Sequence, residues 1–277
     1  MSDLRTVQME FLRPGELQEE KARCPIVYLP IGPLEWHGPH LPFGMDPLNA
    51  QAVATALAKK NGGVVHPTFY WGTERERSPE LLRSIGFSGD EWIVGMDFPA
   101  NSIPSMYAHE DIFGATVREM LRLLVHQGYK LIVIVNGHGA TNHIQQLNRL
   151  AKEFTATTSC KVYYTITTFL PEGAQDFGHA GKVETSIMSH IHPECVDIST
   201  LPPIGEKMRN IDYAIVDDAT FRGKPTGDFT VRDDPRELSE KLGRETVAFS
   251  VDVISEKIKA IMTGKYEDND STAFLPS

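Results

Sequence analysis

Residues 24–63 read CPIVYLPIGPLEWHGPHLPFGMDPLNAQAVATALAKKNGG, and the fold turns on how this stretch divides. CPIVYLPIG, 24–32, is a short apolar run with β-branched residues that stops at Gly and Pro, which marks a buried strand. From Asp46 the pattern changes. Pro47 stands at the first helical position and Gly62 and Gly63 close the run, the two ends of a helix. Between strand and helix, GPLEWHGPHLPFGMD (32–46) carries Glu35, His37, His40 and Asp46 among three prolines and three glycines. Four side chains able to bind a metal therefore sit where the chain is turning.

The same alternation recurs downstream. GVVHPTFYW (63–71) reads as a second strand and HEDIFGATVREMLRLLVHQGY (109–129) as a helix, with Met120, Leu121, Leu124 and Val125 at helical spacing. KLIVIVNGHGATN (130–142) is a strand running into a glycine-rich turn, followed by a helix over 143–154, a strand over 160–170 and a helix over 182–191. A long helix over roughly 235–263 closes the pattern. Strands apolar throughout and alternating with helices predict an α/β fold, a mostly parallel sheet covered on both faces. Ligands of such sheets lie beyond the carboxyl ends of the strands. The polar stretches after 24–32 and 130–135 fall on that same edge. Residues 72–105 are long for a connection and suggest a lid or an oligomer arm. Residues 201–235 mix Pro, Gly and Asp and suggest a surface excursion, and 265–277 a loose tail. With no internal repeat or linker, 1–277 reads as one domain.

Composition narrows the function. A net charge of −10 argues against nucleic acid and anionic membrane as partners, since both reward clustered Lys and Arg. No run of 18 apolar residues predicts a membrane span, and the first twenty residues lack the basic and apolar blocks of a secretory leader. Cys24, Cys160 and Cys195 are isolated, so they fit buried, reduced packing residues and a cytoplasmic protein better than a disulfide framework.

Three clusters carry the chemistry. Glu35 and His37, two apart, face the same way on an extended chain. Asp46 at the helix start fits a ligand or a helix cap. His138 lies between two glycines past a strand. That shape could also cradle a phosphate, which keeps a nucleotide-binding module open, although no GxGxxG accompanies it. Asn142 and His143 fit capping and surface positions as well as functional ones. His179 sits in a Gly-flanked turn, with Glu184 in the next helix's first turns. His, Asp and Glu without Cys suit zinc, manganese or a similar divalent ion. Five such residues exceed the three ligands of a mononuclear catalytic zinc and fit two ions sharing one carboxylate, an arrangement that acidifies water and polarises a carbonyl.

These motifs resemble the creatininase (creatinine amidohydrolase) family. LPIGPLEWHGPHLPFGMD resembles its first metal motif, VNGHGATN its NGHGGN motif and GHAGKVETS its HAGxxETS motif. YAHEDIFGAT and DDPRELSEKLGRE are weaker matches, so the similarity spans about 25–260. The resemblance implies a layered α/β/α fold, a small-molecule substrate, two divalent ions (zinc or manganese, with iron a further option) and a homo-oligomer, often a hexamer. Carried over by position, Glu35 and His138 hold one ion, His37 and Glu184 the other, and Asp46 bridges them. His179 is the catalytic histidine and His40 supports the ligands from behind. Gly139 and Ala140 stand where creatininase carries Tyr-Glu, so the role of that Glu passes to Glu184. Arg75 and Arg77 in GTERERS, with Phe177, are expected to bind substrate. The expected reaction is ring opening at a cyclic amide C–N bond. A second option is C–C hydrolysis of a diketo-inositol, and a third is formamide or peptide hydrolysis.

Overall fold

The computed structural model describes residues 5–98, 101–171, 178–206, 208, 210–211, 215–216 and 233–265. In chain order its main elements begin with α1 (Pro14–Arg23), β1 (Ile26–Ile31), α2 (Met45–Asn61), β2 (Val64–Val65) and α3 (Pro79–Ser84). They continue with α4 (Glu110–His126), β3 (Leu131–Asn136), α5 (Thr141–Thr157), β4 (Lys161–Ile166) and α6 (Lys182–Ile191). A short hairpin, β5 (Asn210–Ile211) and β6 (Ile215–Val216), precedes α7 (Glu240–Met262).

β1 to β4 form one parallel sheet in the order β2-β1-β3-β4, with Ile26 opposite Leu131 and Leu131 opposite Lys161. Because side chains alternate along a strand, each strand feeds two cores. Val27, Leu29, Ile31, Ile132 and Ile134 pack with Phe113, Val117 and Leu121 of α4 and with Leu147 and Leu150 of α5. Ile26, Tyr28, Leu131, Val133 and Val135 pack on the other face with Val53 and Leu57 of α2 and with Val251, Ile254 and Ile258 of α7. Burying one such side chain stabilises by about 1.5–3 kcal/mol, so two apolar faces explain why β1 and β3 are buried along their whole length. The expected three-layer α/β/α architecture with a parallel sheet is what the chain forms.

The strand order matters for function. From β1 the chain passes through α2 to β2 on one side, and from β3 through α5 to β4 on the other. The direction of winding reverses between β1 and β3, and a crevice opens beyond their carboxyl ends. The backbones close tightly there. A Cβ on Gly137 would lie 2.1 Å from the Asp46 carbonyl oxygen, so only glycine lets the turn after β3 meet the start of α2.

Several elements differ from expectation. The strand expected over 63–71 is cut to Val64–Val65, with one bridge from Phe69 to Ile31. Pro67 has no N–H to give a ladder, which ends regular pairing there. α1 was not expected. Its signals are Pro14 at the first helical position and a Glu16 carboxylate that accepts from the Arg13 N–H at 2.7 Å. The long last helix starts at Glu240, after a 3-10 turn at Pro235–Glu237. Cys195 is exposed, not a packing residue, while Cys160 is buried and Cys24 half-buried. Residues 72–106 carry their own small core. α3 is capped by Ser78, whose Oγ accepts from Leu81 N at 3.2 Å. Leu82, Ile85, Ile93, Met96 and Phe98 then close on Trp36 from the turn after β1. Phe177 and the 266–277 tail lie outside the described residues, as does most of 201–235. Among the described residues no helix is long and apolar enough to cross a membrane.

Candidate metal centre

Six of the expected residues meet in the crevice beyond β1 and β3. Glu35 and His37 come from the turn after β1, Asp46 from the first turn of α2 and His138 from the turn after β3. His179 and Glu184 come from the start of α6 and the turn before it. Glu35, His37, Asp46 and His138 are each at most 4% exposed.

Asp46 lies at the centre, with its oxygens facing opposite ways. Oδ1 is 3.1 Å from His37 Nε2, and Oδ2 is 3.0 Å from His138 Nδ1. Glu35 Oε2 completes the second side at 3.3 Å from His138 Nδ1, and Glu184 Oε2 completes the first at 3.9 Å from His37 Nε2. The residues thus form two possible metal triads that share Asp46: Glu35, Asp46 and His138, and His37, Asp46 and Glu184. Donors bound at about 2.0–2.2 Å to a tetrahedral ion lie roughly 3.4 Å apart, so these spacings fit.

Electrostatics supports the same reading. Burial disfavours charge at each of these groups, and each shift records what outweighs it. At Asp46 and Glu35 burial is overcome by the neighbouring histidines, and both carboxyls stay below their usual range. At His37 burial is overcome by Asp46, then by Glu184 and Glu35, which push the ring up to about 10. His138 rises well above its usual value, with Glu35 and Asp46 opposing burial. Three convergent carboxylates need positive charge, which protons on two histidines or divalent ions can provide. The ring nitrogen His37 Nε2, which faces Asp46, is buried with no well-aligned hydrogen-bond partner. His37 Nδ1 donates to the Glu35 carbonyl at 3.1 Å, which turns Nε2 toward the carboxylates. The residues present therefore fit divalent ions.

His179 packs against His37, ring centroids 4.0 Å apart. Its Nε2 donates to the Trp36 carbonyl at 2.5 Å, which leaves Nδ1 facing the cluster, 3.8 Å from Glu35 Oε2. Burial and the nearby His37 push its pKa down to about 4. Ala180, next along, has φ +56°, a strained value for a residue with a Cβ. That conformation aims the Ala180 N–H at Glu184 Oε2, 2.6 Å away. His40 stands one layer back. It is buried, and its Nε2 lies 3.1 Å from Thr185 Oγ1, on the turn that carries Glu184.

The substrate-binding expectations divide. Glu35, Asp46, His138, His179 and Glu184 open into a cavity of about 940 Å³ whose wall includes Arg75 and Arg77. Exposed Arg75 pairs with Glu110 at 3.3 Å at the rim. Arg77 is engaged with the protein itself: its Nε donates to the Gly95 carbonyl at 2.5 Å and its guanidinium lies 5.0 Å from the Phe98 ring centre.

Some supporting residues escaped the sequence reading. Asn136 clamps the His138 turn, accepting from His138 N at 2.9 Å and donating to the His138 carbonyl at 2.7 Å. His143 Nε2 lies 3.0 Å from Asn136 Oδ1, and its Nδ1 accepts from Thr73 N at 3.3 Å. His143 and Asn142 are fully buried, not surface caps. Asn142 donates to the Glu110 carboxylate at 3.1 Å, and an acidic group there speaks against the phosphate cradle. Tyr107, whose hydroxyl donates to Glu35 Oε1, carried no signal in local sequence.

Comparisons with known proteins agree with this architecture. Creatinine amidohydrolase of Pseudomonas putida is 26% identical over 207 residues, 64% of this chain and 72% of that protein. The mycofactocin precursor peptide peptidase of Mycolicibacterium smegmatis is 28% identical over 226 residues, 73% of this chain and 75% of its own. A crystal structure of creatininase matches with a TM-score of 0.67 at 21% identity, covering 92% of this chain and 97% of that one. A manganese creatininase and a mutant creatininase of Zn–Zn type match with TM-scores of 0.66 at 21% identity, each over 92% of this chain and 98% of its own. The family model described as creatinine amidohydrolase matches residues 11–258, a span holding every residue of the cluster, and the chain is a member of the creatininase family of metal-dependent hydrolases.

Proposed function

We propose that this chain binds two divalent ions per subunit, zinc or manganese, and hydrolyses a C–N amide bond in a small polar substrate. The observation that carries the reading is the division of Asp46 between His37 and His138, one carboxylate oxygen to each. Glu35, Asp46 and His138 would hold one ion, and His37, Asp46 and Glu184 the other. Bound ions supply the Lewis acidity that activates water and polarises a carbonyl. The chain's own contribution to proton transfer is His179. With Nε2–H held by the Trp36 carbonyl, Nδ1 is the atom that takes a proton on the cluster side and returns it to the leaving nitrogen. Arg75 at the rim would receive a polar group of the substrate.

A second reading within amide chemistry is a peptide substrate. The cavity of about 940 Å³ is roomier than one small ring requires, and one relative is named a peptide peptidase. The carbon–carbon reading gains nothing from the named activities of either relative. The exposed side chains of Trp92, Ile103, Met106 and Ile112 support a homo-oligomer, to be measured by light scattering. The deciding experiment screens the metal-loaded protein against creatinine, other cyclic amides, formamides, short peptides and diketo-inositols, following acid and amine release. Turnover of an amide is expected. Turnover of the diketone alone would move the reaction to a C–C bond.

A further inference from the structure

The segment 105–108 runs back against the turn that carries Glu35. Met106 N donates to the Leu34 carbonyl at 2.8 Å, Trp36 N to Ser105 Oγ at 3.0 Å and Ala108 N to the Gly72 carbonyl at 2.8 Å. Tyr107 is fixed by its neighbours on both sides, opposite Glu35. Its hydroxyl oxygen accepts from Met96 N at 3.2 Å and its O–H donates to Glu35 Oε1. Gly95 makes the room. It has φ +54°, and a Cβ there would lie 2.7 Å from the Tyr107 hydroxyl oxygen. With Oε1 taken, Glu35 meets the cluster through Oε2 alone, 3.3 Å from His138 Nδ1 and 3.8 Å from both His37 Nε2 and His179 Nδ1.

We infer that Tyr107 is a positioning residue which makes Glu35 a one-oxygen ligand, keeping the second oxygen away from the ion beside His138. This rests on the metal-centre reading above. A carboxylate free at both oxygens can chelate one ion, which raises its coordination number and takes a position that water or substrate would use. Partners behind a ligand typically change metal affinity or activity about 10–100-fold when removed.

The test compares wild type with Tyr107→Phe, which keeps the ring and removes only the hydroxyl. Cobalt(II) is titrated into metal-free protein, and affinity and visible absorption are both recorded. In the variant, affinity at the Glu35 side should change by about 10–100-fold while the His37–Glu184 side stays within about threefold. The cobalt absorption should weaken, as it does when coordination number rises. An unchanged affinity and spectrum in a folded Tyr107→Phe protein would overturn the assignment of Tyr107 alone. Failure of the wild type to bind cobalt would overturn the metal-centre reading, and this inference with it.

Discussion

Glu35 and Glu184 are the two outer carboxylates of the cluster, and the protein holds them differently. Glu35 is 2% exposed and leaves the end of a central strand, with Tyr107 on one oxygen. The Glu184 side chain is 20% exposed and lies at the start of α6, outside the sheet. Its turn is steadied by the Ala180 N–H and by Asp233, whose Oδ2 accepts from Val183 N at 3.3 Å. The first triad is built from the turns after β1 and β3 and the start of α2, whereas the second takes Glu184 from α6, which packs through Ala180, Val183 and Ile187 in a separate core with Leu41 and Met45. On the proposed two-ion reading, the ion beside Glu35 would be held by groups at the sheet edge, and the ion beside Glu184 would depend in part on α6.

Removing each carboxylate in turn separates the two sides of the cluster. Glu35→Gln and Glu184→Gln should each drop turnover to background, and each should weaken one ion by more than about 100-fold. A competing chelator should find the other ion within about threefold of wild-type affinity. If either variant loses both ions equally, the two triads are one site. In the wild type, a chelator should remove the ions in two phases, with the one at Glu184 leaving first. A single phase would erase the difference between the two regions.

His179 sharpens the picture from another side. His179→Ala should keep both ions and lower kcat by about 10²–10⁴-fold. Loss of an ion instead would place His179 among the ligands, a role its grouping with Glu35 and His37 makes chemically available.

The smallest effect concerns the support beneath Glu184. Burial, then the nearby His37, pushes His40 down to about 3. The unfolded chain takes that proton first, so the contribution is complete above about pH 6.5 and is lost as pH falls toward about 3. Its full size is on the order of 5 kcal/mol. Denaturant unfolding of His40→Gln across pH 7 to 4 should show a shallower acid loss than wild type. Parallel curves would mean His40 is not buried neutral.

Much of this was legible in the chain itself, for physical reasons. β1, β3 and β4 are apolar runs between turn signals, and the helices after them carry Pro, Gly or periodic apolar residues. Glu35 and His138 follow strand ends closely, and Asp46, His179 and Glu184 lie at or near helix starts, so strand and helix boundaries marked the three clusters, and the resemblance to the creatininase motifs supplied their roles. What was not legible depends on chain return. Tyr107 faces Glu35 across 72 positions, and Trp36 completes the core formed by Leu82, Ile85, Ile93, Met96 and Phe98, far along the chain. No local pattern encodes either contact. Asn142 and His143 stayed open between capping or surface positions and functional ones, because a helix start alone does not fix burial. Here α4 brings Phe113 against the His143 ring, centroids 4.5 Å apart, and buries it.

The central claim is that Asp46 joins two ions. Manganese(II) titrated into metal-free protein and followed by electron paramagnetic resonance tests it most directly, because ions about 3.5–4 Å apart couple magnetically. A coupled spectrum is expected at two equivalents in the wild type, with loss of both bound ions in Asp46→Ala. An uncoupled signal at two equivalents, or a coupled signal that survives in Asp46→Ala, would contradict it.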